Sequence, residues 1–183
     1  MGVCSMGAIK TINGGKYMQK IYPCLWFNGN AEEAAKFYVS VFKNSKITEI
    51  NYYDKYSAEV SGMKEGAVLT VSFEIEGQQF MILNGGPSPD ARGGFNQSTS
   101  FVIDCKDQAE VDYYWDKLTA GGGKEVQCGW LTDKYGLSWQ VTPTILTEML
   151  SDPDPKKASN VMQAMLNMIK IDIKGLEEAY NKK

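Results

Sequence analysis

Histidine is absent from all 183 residues. That absence excludes Ser-His-Asp and Cys-His nucleophile systems, the H-E-x-x-H zinc site and the two-histidine facial triad. Acid–base work is left to Asp, Glu, Lys, Tyr or Cys. Cysteine is sparse too: Cys4, Cys24, Cys105 and Cys128 form no C-x-x-C pair, which removes zinc-ribbon and thioredoxin-type readings. Cys24 and Cys105 lie in strand-like runs and are expected to be small buried apolar residues. No apolar run approaches the roughly 20 residues that span a bilayer. The first residues lack the charged, apolar and small-residue succession of a secretory leader. There is no basic surplus either, since 19 Lys and Arg stand against 22 Asp and Glu. The net charge of −3 therefore offers no field to hold nucleic acid or an acidic membrane. These absences together predict a cytoplasmic protein with no nucleic-acid and no membrane partner.

What is present is a local pattern that occurs twice. The apolar run Tyr22 to Phe27 leads to Asn30, Glu33 and the pair Phe37-Tyr38. The run Thr99 to Ile103 leads to Asp107, Glu110 and Tyr114-Trp115, offset by 77 residues. An Asn or Asp followed three residues later by Glu predicts a capping-box-like helix start. The aromatic pair then falls on the second turn, where it can face a sheet. Repetition at this length predicts a duplicated strand-helix module.

Residues 1–17 are small, polar and Gly-containing, and read as an N-terminal extension. A first module follows at 18–87, with a strand at Ile21 to Phe27, a helix at Asn30 to Phe42 and a strand at Lys46 to Tyr53. Asp54 to Gly66 reads as a polar loop. Ala67 to Glu76 alternates with period two, a strand with one buried face. Glu76-Gly77 turns it into Gln79 to Leu83. A Gly- and Pro-rich connector covers 88–97. The second module, 98–143, repeats the order: strand to Asp104, helix Asp107 to Ala120, then strands Lys124 to Cys128, Trp130 to Asp133 and Leu137 to Thr142. Helices occupy 144–183, one opened by the Asp154-Pro155 cap pair and one by Asp172. Val161, Met162, Met165, Leu166 and Ile169 make an apolar stripe expected to pack on the sheet or a partner subunit.

In the last strand Leu137, Trp139 and Val141 share one face, and Ser138, Gln140 and Thr142 the other. The polar face needs water, a partner or a ligand.

The strand Pro23-Cys24-Leu25-Trp26-Phe27, with Asn28-Gly29-Asn30-Ala31-Glu32-Glu33-Ala34 and Phe37-Tyr38, resembles the PhnB-like branch of the vicinal oxygen chelate superfamily. Asn84-Gly85-Gly86-Pro87, Gln127-Cys128-Gly129-Trp130, Asp133 to Gln140 and the tail from Leu150 to Ile173 are similar as well. The superfamily includes glyoxalase I, bleomycin-resistance proteins and extradiol dioxygenases. This branch often carries the label demethylubiquinone methyltransferase-like. The resemblance implies an α+β fold of paired βαβββ modules with a C-terminal helical tail. It also implies a cleft in the curl of the modules and a homodimer.

Metal enzymes of the superfamily place His or Glu on the first and last strand of each module. Carried onto this chain, the first-strand positions fall on Pro23 and Ser100, and Gln140 stands where a Glu would. Gln78 to Gly86 supplies neither His nor carboxylate. Neutral Ser and Gln are poor anchors for a divalent transition metal and Pro is none, so no metal and no cofactor is expected. The methyltransferase label gains nothing from the residues, because Gly121-Gly122-Gly123 follows a helix and Asn84-Gly85-Gly86 follows a hairpin.

The expectation is a metal-independent small-molecule-binding protein, with Pro23, Leu25, Phe27, Asn84, Ser100, Ser138 and Gln140 as pocket candidates. Trp26 competes with Phe27 for the inward face. An enzyme of lyase, isomerase or transferase type without His-ligated metal is the alternative, with Tyr22, Tyr52, Tyr53 or Asp104 available as acid or base. A plain structural or regulatory dimer is a third reading.

Overall fold

The computed structural model describes residues 19–87 and 94–182. Cys4, the extension at 1–17 and residues 88–93 of the connector lie outside the described residues. The chain divides into two compact units between Ser88 and Pro89.

In the first unit the elements run β1 (Cys24–Phe27), α1 (Ala31–Val41), β2 (Ser45–Tyr52), α2 (Lys55–Ser61), β3 (Val68–Ile75) and β4 (Gln78–Asn84). The sheet order is β1-β4-β3-β2, with β1 parallel to β4 and the rest antiparallel. The alternation along β3 places Val71, Phe73 and Ile75 on one buried face. Tyr38 of α1 stacks on Phe73 at 6.1 Å, so this is the face that α1 covers. Ala31, Ala34 and Ala35 are fully buried, and their small side chains let the helix sit close to the strands.

The segment expected as a loop at Asp54 to Gly66 instead holds α2. Asp54 Oδ1 accepts from Ser57 N–H at 2.7 Å, while Asp54 N–H donates to Ser57 Oγ at 3.0 Å. That reciprocal pair satisfies two first-turn amides. The helix has seven residues and buries only Ala58, so it leaves almost no apolar period to read.

The second unit runs β5 (Ser100–Cys105), α3 (Gln108–Thr119), β6 (Lys124–Glu125), β7 (Trp130–Thr132) and β8 (Ser138–Pro143), in sheet order β5-β8-β7-β6. Val111, Tyr114, Trp115 and Leu118 of α3 are buried, as the spacing predicts. Of the two predicted capping boxes, only the second start is capped by its side chain. Asp107 Oδ1 accepts from Glu110 N–H at 2.9 Å, and Glu110 reaches back to Lys106 N–H at 3.0 Å. Asn30 makes no such bond.

The strand expected at Lys124 to Cys128 stops after two residues. Val126 N–H donates to Trp130 O at 2.8 Å, and Cys128 and Gly129 take positive φ of 60° and 80°, so the chain loops back.

The tail comprises α4 (Thr144–Leu150), α5 (Pro155–Leu166) and α6 (Ile173–Tyr180). They share a small core of Leu146, Met149, Val161, Ile171 and Leu176. The helical stripe splits. Val161 is buried and Met165 half-buried against this core, but Met162, Leu166 and Ile169 are largely exposed. Three short helices have room for only one side of α5.

The tail is strapped to the second module. Gln108 grips it twice, donating to Ile171 O at 3.1 Å and accepting from Ile173 N–H at 2.9 Å. Cys128 and Gly129 donate to Met168 O and Ile169 O, both at 2.8 Å. Lys170 pairs with Asp112 at 2.7 Å, which holds that carboxyl below its ordinary range. Tyr180 OH donates to Asp152, lowering the Asp152 carboxyl in the same way. Acids depressed by folding stabilise the fold above the ordinary carboxylate range and stop doing so as pH falls below it.

The cysteine expectation holds for Cys105, which is buried, and is corrected for Cys24, which is exposed on the opposite sheet face from Leu25. Burial, then the charges of Glu110, Asp104 and Asp107, push the Cys105 thiol up from 9.0 to about 12. Folded chains therefore keep a proton that unfolded chains lose, and stability falls as pH rises through that window. A comparison of urea midpoints between pH 8 and pH 11 is expected to show a steeper fall for wild type than for Cys105→Ala. Identical slopes would refute the assignment. In the native state a thiol reagent is expected to modify Cys24 well before Cys105.

Candidate functional site

Each sheet has one face under its helix and one face that the helix leaves open. In the second unit the register pairs Ser100 with Ser138, Val102 with Gln140 and Asp104 with Thr142. Gln140 also pairs with Trp130, and Ser138 with Thr132. Directly paired residues share a face, so Ser100, Val102, Asp104, Gln140, Thr142, Trp130 and Thr132 form the open side. Phe101, Ile103, Trp139, Val141 and Leu131 take the side under α3.

Three of the expected pocket residues meet here. Gln140 Nε2 donates to Ser100 Oγ at 2.9 Å, and both side chains are half-buried. Ser138 is fully buried and its hydroxyl lies 3.5 Å from Asn96 O, so the segment before β5 covers it. Gln140 keeps its carbonyl and one N–H for another partner, and Ser100 keeps its hydroxyl proton. Val102 is 57% exposed beside them. The arrangement can orient a neutral polar group over a partly apolar floor.

In the first unit the expected faces are reversed. Leu25 pairs with Ile82 and Ile82 with Val71, all on the buried face under α1. Phe27 pairs with Asn84 on the same side. Pro23 shares their parity, and its carbonyl accepts from Met81 N–H at 3.0 Å. Leu25 and Phe27 therefore belong to the helix-side core, and the open face carries Cys24, Trp26, Met81, Leu83, Thr70 and Ser72.

The reason is one residue in a turn. Three residues, 28–30, join β1 to α1, while two, 106–107, join β5 to α3. The extra residue is accommodated at Gly29, with φ of 92°. The helices thus repeat at an offset of 77 residues, but buried Leu25 and Phe27 match buried Ile103 and Cys105 at an offset of 78. A shift of one flips every side chain to the other face. The counterpart of Ser100 is consequently Tyr22, not Pro23.

Asn84 is only 3% exposed and its side chain is already used. It accepts from Gly29 N–H and donates to Val68 O at 2.9 Å, while its backbone carbonyl accepts from Tyr53 OH at 2.9 Å. It ties the β1–α1 turn to β3, and the Tyr53 hydroxyl is committed to the same knot. A hollow of about 230 Å³ is lined by Tyr22, Thr48, Glu49, Ser72 and Gln79, with the strand positions Phe73 and Phe80 between them.

In neither unit do the donors suit a divalent transition metal. Ser100 and Gln140 are neutral and Tyr22 is a phenol. Glu49 and Glu74 lie toward the far edge of the first sheet, with Glu74 3.8 Å from Lys46. Among the described residues no three His, Cys, Asp or Glu gather where a metal ion could be held.

The family described as 3-demethylubiquinone-9 3-methyltransferase matches residues 19–142. Among solved structures, a putative 3-demethylubiquinone-9 3-methyltransferase, PhnB protein, from Bacillus cereus is 35% identical, covering 69% of this chain and 100% of its own, with a TM-score of 0.59. Protein PA1353 from Pseudomonas aeruginosa is 17% identical with a TM-score of 0.53, covering 69% of this chain and 98% of its own, a likeness of fold alone. No curated protein matches the chain.

Proposed function

We propose that this chain, which belongs to the PhnB-like 3-demethylubiquinone-9 3-methyltransferase family in the vicinal oxygen chelate superfamily, is a metal-independent binder of a small organic molecule. It works as a homodimer in the cytoplasm and takes its ligand on the open sheet faces. The observation that carries the reading is the Gln140–Ser100 pair. It sets hydrogen-bonding amide and hydroxyl groups side by side on the open face, beside exposed Val102, at positions that the resemblance equates with metal ligands of the superfamily. A few fixed polar groups set in a partly apolar surface are what orient a small ligand. Among the described residues no helix is long and apolar enough to cross a membrane.

Methyl transfer from S-adenosylmethionine has little to support it. The usual class of such enzymes needs a Gly-rich turn from a parallel strand into a helix. Here Gly121 to Gly123 follow α3, and Gly85 and Gly86 follow β4.

Native mass spectrometry of untagged protein is expected to give a dimer carrying a near-stoichiometric organic adduct that disappears on denaturation. Gln140→Ala is expected to weaken binding of that adduct by about 1–3 kcal/mol, the value of a buried hydrogen-bonding group left unmatched. Retention of the adduct at wild-type affinity would remove Gln140 from the site. A stoichiometric transition-metal adduct would overturn the metal-independent reading.

A further inference from the structure

Trp26 is held on one face and along one edge. Its indole Nε1–H donates to Gly86 O at 2.9 Å, which pins the ring edge. A Cβ added at Gly85 would stand 2.3 Å from Cζ2, 2.6 Å from Cη2 and 2.8 Å from Cε2. Such near-equal approach to three consecutive atoms places Gly85 under the ring's flat face. A point beyond the edge would be much further from the two flanking atoms than from the middle one. One face of the indole is thus seated on backbone that only glycine permits, and one edge is bonded. The residue nevertheless remains 39% exposed. Its neighbour across the sheet is half-buried Leu83, and half-buried Met63 stands by Gly86, its Sδ 3.6 Å from where a Cβ would be.

We infer that Trp26 is a fixed stacking shelf on the open face of the first sheet, and that the ligand it serves carries a flat aromatic or heteroaromatic ring. This rests on the ligand-binding reading above and adds the class of ligand. A ring already immobilised by Gly85 and Gly86 loses no rotamer freedom when a second ring lies on it. Leu83, the cross-strand neighbour of Trp26, and Met63, beside Gly86, are the nearby apolar and thioether groups, of the kind that favour a flat π-system.

The test is a titration of the full chain with 2-naphthol and, separately, with its saturated counterpart trans-2-decalol, followed by the indole N–H signals in a 1H–15N spectrum. The Trp26 signal is identified by its loss in Trp26→Phe. Naphthol is expected to shift that signal and to bind about tenfold tighter than decalol. Trp26→Leu is expected to remove about that factor. Gly85→Ala, which drives the ring off its seat, should do the same while the remaining signals stay dispersed. Equal affinity for the two probes, no shift of the Trp26 signal, or unchanged naphthol affinity in Trp26→Leu would overturn the shelf. The adduct of native mass spectrometry separates the two ideas. An adduct lost in Gln140→Ala from a protein that binds naphthol and decalol equally sinks the shelf and leaves the ligand-binding reading. Selective naphthol binding that Trp26→Leu abolishes and Gln140→Ala leaves unchanged keeps the shelf and removes Gln140 from ligand binding.

Discussion

Asp133→Ala is expected to destabilise the chain by about 3–5 kcal/mol, the scale of removing a buried charged acceptor from several donors. The carboxylate is 2% exposed. Oδ2 accepts from the Trp139 indole N–H at 2.9 Å, and Oδ1 accepts from the amides of Tyr135 and Leu137 at 2.8 and 3.1 Å. Alanine would leave three donors facing a void at the turn that starts β8. Asp133→Asn separates the parts. Its oxygen can still accept from both amides, but its NH2 then meets the indole N–H as donor against donor. That variant should lose roughly half as much, and Trp139→Phe in the same chain should recover part of the loss. Urea unfolding gives each value from the midpoint at constant slope. A loss below about 1 kcal/mol for Asp133→Ala would mean that water replaces the carboxylate and that the turn does not depend on it.

The turn matters for the site because β8 carries Gln140 seven residues on. The Ser138-Gln140-Thr142 face was legible from alternation alone, since β8 is regular and its apolar set is unambiguous. β1 was not legible in the same way. Leu25 and Phe27 are apolar, but so is Trp26, and the strand has four residues. The inward face there follows only from the resemblance, which puts Pro23 at a ligand position, and the 77-residue repeat of the helices misses by one on the strand. Nothing in Asn28-Gly29-Asn30 says that Gly29 bulges the turn until its N–H is seen on Asn84. The Trp26 shelf was hidden for a similar reason, because it depends on Gly85 and Gly86, distant in sequence and read there as turn residues. Cys24 followed Trp26 to the open face. The seven-residue α2 buries only Ala58, so its polar surface gives no period to read. The α+β fold class that the resemblance implies holds, and β3 and β8, the regular alternating runs, lie where the alternation puts them. The pocket depends on single-residue register.

Gly129→Ala is the second change expected to cost heavily, about 2–4 kcal/mol from the left-handed backbone and the overpacking together. Gly129 has φ of 80°. An added Cβ would stand 2.9 Å from Val141 O and 3.0 Å from Ile171 Cγ1. The first contact is backbone of β8, whose Val141 N–H already donates to Gly129 O at 2.8 Å, so the strand cannot retreat without losing that bond. The second is the tail. Ile171 is fully buried, and its carbonyl is the one Gln108 holds. A methyl group here therefore pushes the helical tail off the second module while leaving α4 covalently attached to β8. Hydrogen exchange distinguishes this from general destabilisation. The amides of Cys128, Gly129 and Ile173, which bond across the seam, should lose protection in Gly129→Ala by more than the amides of β3 and β4 do. Gln108→Ala should produce a weaker form of the same pattern, since it removes the two bonds without the clash. If protection falls equally in both units, the tail is not held at Gly129. If Gly129→Ala is neutral, the loop between β6 and β7 has another conformation that accepts a side chain.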